Sequence, residues 1–152
     1  EVDIPARIPA EYIKDETLKL QAYKKIAQIT SHEEAEELIA ELIDRYGDLP
    51  DVTIDLVRIA EIKCLAAELG VKNISERGGR FVVEFNEDNN ADAFTLVVAK
   101  QKFGEGLIIS SGSNPYLSLQ KTKEKPAARI LDLMTVMKGA RLQGLAHSEM
   151  SN

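Results

Sequence analysis

The chain has 152 residues, 44% hydrophobic and 29% charged, which is a globular balance at single-domain size and excludes both a long multidomain enzyme and a disordered tail. A chain of this length buries roughly 68–70% of the surface exposed when unfolded, enough for a core of its own. The net charge of −6 is uneven: residues 1–69 hold 8 basic against 16 acidic groups, net −8, and residues 70–152 hold 11 against 9, net +2. The acidic front half therefore repels phosphate backbones and suits a basic protein partner.

Residues 1–13 contain Pro5 and Pro9, which force their predecessors into extended geometry, so an arm or edge strand is expected. From Asp15 to Ile29 the apolar residues Leu18, Ala22, Ile26 and Ile29 recur at helical spacing, widened by Tyr23 and Ala27. A second helix opens at Ser31-His32-Glu33-Glu34, a capping box in which the Ser hydroxyl and Glu carboxylate satisfy orphan amides. It closes at Gly47 and carries the stripe Ala35, Leu38, Ile39, Leu42, Ile43 and Tyr46. After Leu49-Pro50, a third helix spans Asp51 to Leu69, with an apolar arc broad enough for a central position.

Gly70 ends the helical part, and alternating segments begin at Val71–Glu76 and Arg80–Phe85, joined through Arg77-Gly78-Gly79 as a hairpin. A helix from about Asn90 to Phe103 follows, then a second hairpin, Leu107–Ile109 and Tyr116–Leu119, around Gly112-Ser113-Asn114-Pro115. Pro126 opens a last helix to about Leu142. The expected fold class is α+β: an N-terminal three-helix segment, then a β-β-α-β-β-α unit with a small antiparallel sheet. The expected organisation is one domain over 1–152, with an acidic helical part (1–69) and an α/β part (70–152).

Enzyme signatures are missing. There is no phosphate-binding Gly-rich loop, Gly104-Glu105-Gly106 lacks the rest of a dinucleotide fingerprint, and neither a His-x-x-x-His pair nor a nucleophile elbow occurs. His32 and His147 read as surface residues. Cys64, between Ile62 and Leu65 on the third helix, reads as an inert core thiol. As the one cysteine it permits no intramolecular disulfide and no thiolate zinc cluster, in keeping with a reducing cytoplasm. Met134 and Met137 read as core filling. No apolar run approaches the roughly 18–20 residues that cross a bilayer, and Glu1-Val2-Asp3-Ile4-Pro5 lacks the regions of a secretory leader. A chain starting without Met is expected to be a piece of a larger protein or the product of N-terminal processing.

Charge leaves two candidate surfaces. Glu33, Glu37, Glu41 and Asp44 fall at i, i+4, i+8 and i+11 on one face of the second helix. For Glu33, Glu34, Glu36 and Glu37 the helix dipole suffices, contributing about 0.3–1 kcal/mol each, so no partner is required. Glu41 and Asp44 lie near the C-terminal end, where the dipole disfavours anions, and Glu37 repels Glu41. That ridge is either a solvated face relieved in part by Arg45 or a site for a basic docking partner. The second candidate is Lys121, Lys123, Lys125 and Arg129, before and on the last helix: a solubilising loop or a phosphate-contacting patch. With Tyr116 alone nearby for stacking and 5% aromatics overall, a nucleic-acid-binding accessory domain is the alternative to protein docking.

The run Glu41-Leu42-Ile43-Asp44-Arg45-Tyr46-Gly47-Asp48-Leu49-Pro50 resembles the signature of the C-terminal domain of bacterial transcription-repair coupling factors. Ile8-Pro9-Ala10-Glu11-Tyr12-Ile13 and Leu18-Lys19-Leu20-Gln21-Ala22-Tyr23-Lys24-Lys25-Ile26-Ala27 agree with it; together the motifs cover roughly residues 4–75, with Tyr46 where Phe is commoner. The resemblance implies a parent that is an ATP-dependent DNA translocase of transcription-coupled nucleotide-excision repair. Such a parent displaces stalled RNA polymerase and recruits excision proteins through UvrA. Its ATP and magnesium belong to motor domains outside this chain, and no cofactor is implied here. The implied role is non-catalytic and autoinhibitory: docking on the N-terminal UvrB-like module and masking its UvrA-binding surface. Carried onto the matching positions, Glu41 and Asp44 become ion-pair partners of arginines there, framed by Arg45 and Tyr46 and flanked by Glu37.

Overall fold

The computed structural model describes residues 2–87 and 92–151, the side chains of 147, 148 and 151 excepted. Three helices come first: α1 (Glu16–Ala27), α2 (His32–Tyr46) and α3 (Asp51–Leu69). Strands β1 (Val71–Arg77) and β2 (Arg80–Phe85) follow, then α4 (Ala93–Phe103), β3 (Leu107–Ser110), β4 (Tyr116–Gln120) and α5 (Pro126–Ser151). The α+β class and the element order match the periodicity of the sequence. Asn90, the expected start of α4, lies outside the described residues; within them α4 is capped by Asp92, whose carboxylate accepts from the Thr95 amide at 2.7 Å. The last helix runs nine residues past the expected Leu142, carrying the expected polar tail and with it His147, whose side chain is outside those described.

Two compact units divide the chain, Ile4–Cys64 and Leu65–Asn152 with Glu1–Asp3. In the first, the arm before α1 has no regular structure up to Pro9 and then turns over residues 10–12, where the Tyr12 and Ile13 amides donate to the Pro9 carbonyl at 3.1 and 3.2 Å, and it is pinned by backbone groups that cannot be left unpaired. The Arg7 amide donates to the Val52 carbonyl at 3.2 Å, the Arg7 carbonyl accepts from the Thr53 hydroxyl at 2.9 Å, and the Ile8 amide donates to the Tyr23 hydroxyl at 2.8 Å. Ile8 and Ile13 from the arm pack with Ala22 and Ile26 of α1, Leu38 and Leu42 of α2, and Val57 of α3. The arm is thus part of this core, which is why its motif and those of α1 and α2 belong together.

The second unit is built on one antiparallel sheet of order β1-β2-β4-β3. The two hairpins are joined by β2 and β4, with Phe81 opposite Leu119 and Val83 opposite Leu117. Period 2 puts these four on one buried face, with Ile74 and Leu107 beside them. Gly78 and Gly79, at φ +57° and +75°, make the two-residue turn between Arg77 and Arg80, a conformation that costs a side chain but not glycine. α4 packs on α5, and the buried stripe of α5 includes Met134 and Met137, 0% and 1% exposed, in the core as expected.

Candidate docking surface

α2 is held at its N-terminus by Ser31, whose hydroxyl accepts from the Glu34 amide at 3.1 Å. The other half of the expected capping box is displaced by one residue: the Glu34 carboxylate accepts from the amide and hydroxyl of Thr30, at 2.7 and 2.9 Å. The Thr30 amide, and after it the Thr30 hydroxyl, hold Glu34 below the usual carboxylate range. Glu36 also departs from the expectation that it needs no partner. It accepts from Arg58 at 3.1 Å and lies 3.4 Å from His32 Nε2.

The expected ridge is in place. Glu33, Glu37 and Asp44 are exposed and Glu41 is half-buried. Glu41, disfavoured on its own helix, meets Lys25 of α1 at 2.6 Å. The pair borders a shallow groove between α1 and α2, rimmed by Glu34 and Glu37 over Ile29 and Leu38. Both ion-pair members are substantially exposed, so the bridge is worth less than about 1 kcal/mol and is open to exchange with another cation. At the C-terminal end, the Arg45 guanidinium carbon stands 5.1 Å from the centre of the Tyr46 ring, and Tyr46 lies tilted against Tyr12 with centroids 5.8 Å apart. Arg45 is therefore turned toward an aromatic face.

A second cluster, which no motif in the sequence marks, joins α2 to α3. Glu61 of α3 is 4% exposed, and its carboxylate is met by Arg58 at 2.7 Å and His32 Nδ1 at 2.6 Å. Burial opposes the Arg58 charge, but hydrogen bonds and charges from Glu61 and Glu36 outweigh it and hold the guanidinium above its usual range. A carboxylate inside the broad apolar arc of α3 with an arginine three residues before it was the available signal. His32 is on the surface as expected, yet one nitrogen is engaged below it. Cys64, expected in the core, is only partly buried and donates to the Ile29 carbonyl at 3.1 Å.

The second candidate surface is partly occupied by its own unit. Lys121 pairs with Glu76 at 2.8 Å, and Arg129 donates to the Gln120 carbonyl at 3.2 Å and covers the Phe103 ring at 5.2 Å. A hydrogen bond with Asp132, then partial burial and the Asp132 charge, push the Glu124 carboxyl above its usual range. Two carboxyl groups thus stand among the basic residues. Among the described residues there is no cluster of three or more His, Cys, Asp or Glu able to hold a metal ion, and no helix is long and apolar enough to cross a membrane.

Residues 2–96 match the family model of the TRCF domain. The chain is 38% identical over 104 residues to the transcription-repair-coupling factor of Escherichia coli (strain K12), an alignment covering 67% of this chain and 9% of that protein. It is 35% identical over 129 residues to the transcription-repair-coupling factor of Staphylococcus haemolyticus, covering 82% of this chain and 11% of that one. The chain spans about a tenth of the length of these curated relatives. Among solved structures, the crystal structure of the C-terminal domain of transcription-repair coupling factor superposes with a TM-score of 0.81 at 26% identity, covering 94% of this chain and 91% of that chain.

Proposed function

This chain belongs to the TRCF domain family, the C-terminal domain of transcription-repair coupling factors, and we propose that it acts within such a factor as a non-catalytic, autoinhibitory docking domain. Its partner in this reading is the N-terminal UvrB-like module of the same parent, whose arginine-bearing UvrA-binding surface it masks. The parent would be a cytoplasmic DNA translocase engaging RNA polymerase, DNA and UvrA, with ATP and magnesium confined to its motor domains. No cofactor is assigned to this domain.

The observation that carries the reading is the acidic ridge of α2, with Glu37 and Asp44 exposed and Glu41 half-buried beside Lys25, on a helix whose C-terminal half disfavours anions. Burying carboxylates costs less when they meet arginines in bidentate geometry, and a ridge of this sign would also steer docking of a basic surface. Tethering does the rest. Within one chain the effective concentration is high, so modest contact energy holds a closed state until engagement of polymerase and DNA shifts the balance. The nucleic-acid alternative is less favoured, since Lys121 and Arg129 are engaged inside their own unit and Glu124 and Asp132 stand among them. The test is Glu41→Ala with Asp44→Ala. Binding to the isolated UvrB-like module should weaken at least tenfold with the thermal unfolding profile unchanged, and unchanged affinity with the same salt dependence would remove both residues from the interface.

A further inference from the structure

The C-terminal turn of α2 is held by one oxygen from outside the helix. The Tyr12 hydroxyl lies 2.8 Å from the Gly47 carbonyl and 3.2 Å from the Leu42 carbonyl, a forked arrangement in which the O–H donates and both carbonyls accept. Leu42 and Gly47 bracket Ile43, Asp44, Arg45 and Tyr46, so the whole stretch is tied at both ends to a single side chain of the arm. The ring adds a second restraint. Tyr12 packs on Tyr46 and Tyr46 carries the Arg45 guanidinium, giving a stack that runs from the arm to the framing arginine. Burial, then the charges of Asp48 and Tyr46, keep the Tyr12 phenol above its usual range, so its donor proton is retained through neutral and mildly alkaline conditions. Gly47, at φ +86°, takes the chain out of the helix where these bonds meet.

From this geometry we infer that Tyr12 is a positioning residue for the docking ridge: it touches no partner, and it sets the last turn of α2 so that Asp44 and Arg45 are presented in one fixed arrangement. The inference rests on the docking function proposed above. A preset arrangement lowers the ordering cost of association, so its loss should appear as weaker docking at nearly unchanged fold.

A matched control is built into the same arm. The Tyr23 hydroxyl accepts from the Ile8 amide at 2.8 Å, so Tyr23→Phe deletes an equivalent arm tether that does not touch the end of α2. Tyr23→Phe, which leaves the buried Ile8 amide without its acceptor, should lower the unfolding temperature at least as much as Tyr12→Phe. Docking on the isolated UvrB-like module, by titration calorimetry, should weaken about two- to tenfold in Tyr12→Phe and stay within twofold of wild type in Tyr23→Phe. Hydrogen exchange supplies a second readout without the partner: the Gly47 amide, which donates to the Ile43 carbonyl at 2.9 Å, should exchange several-fold faster in Tyr12→Phe alone. Equal weakening by both variants would make the hydroxyl a general stabiliser and overturn the inference, as would unchanged docking or unchanged Gly47 exchange in Tyr12→Phe. If Glu41→Ala with Asp44→Ala weakens docking while Tyr12→Phe does not, the inference alone fails; if that double variant has no effect, the docking reading fails and takes the inference with it.

Discussion

Replacing Arg58 by Met removes the main cationic partner of a carboxylate that cannot reach water. Glu61 is 4% exposed and loses its 2.7 Å bond to Arg58, while Glu36 loses its 3.1 Å bond to the same nitrogen. Breaking a buried ion pair by deleting one partner costs about 3–5 kcal/mol in general. Here His32 still reaches Glu61 at 2.6 Å, Arg58 is 23% exposed, and the bond to half-exposed Glu36 is screened, so the expected loss is lower, about 2–3 kcal/mol. For a chain of this size that is a fall of about 5–10 °C in the unfolding midpoint, measured by circular dichroism at neutral pH. Adding Glu61→Gln removes the stranded charge and should recover more than half of the loss, a coupling that a double-mutant cycle isolates. A loss below about 0.5 kcal/mol, or a double variant no more stable than Arg58→Met, would refute the dependence of buried Glu61 on Arg58.

Two further expectations concern pH. Glu34 has a depressed folded value, so its contribution is complete above the ordinary carboxyl range and disappears as pH falls through the folded value; Glu34→Gln should be less stable than wild type at pH 7 and converge with it below about pH 4, followed by thermal unfolding. Glu124 has the opposite sign. Its raised value means that the hydrogen bond with Asp132 stabilises the fold below the ordinary carboxyl range and is lost as pH rises through the folded value, leaving two carboxylates facing each other; Glu124→Gln should therefore raise the unfolding midpoint by about a degree at pH 7, with the gap closing near pH 4.

The fold was legible where local chemistry decides it. Gly47, Gly70 and the Gly78-Gly79 turn punctuate the chain where the backbone takes positive φ, and the periods of 3.6 and 2 between them place helices and strands within a few residues. The pairing of β2 with β4 was not legible, because periodicity gives the faces of a strand and not its neighbour. At the candidate site, the acidic spacing on α2 was readable, since side chains four apart share a face. What meets that face was not: Lys25 comes from another helix, and Arg58 and His32 converge on Glu61 only after α2 and α3 pack. The capping box shows the same limit on a smaller scale, where the motif names the residues but Glu34 turns to Thr30 instead of Ser31. Tyr12 was visible as part of a motif, whereas its role at the end of α2 depends on a contact 30 to 35 residues away.

Docking of the acidic α2 ridge on a basic surface of the UvrB-like module, as proposed, is read by titration calorimetry of the wild-type domain against that module at low and moderate salt. Binding should be measurable and should weaken as the Debye length falls from about 30 Å at 0.01 M salt to about 8 Å at 0.15 M. Binding that is absent at low salt, or present and indifferent to salt, would contradict the proposed docking.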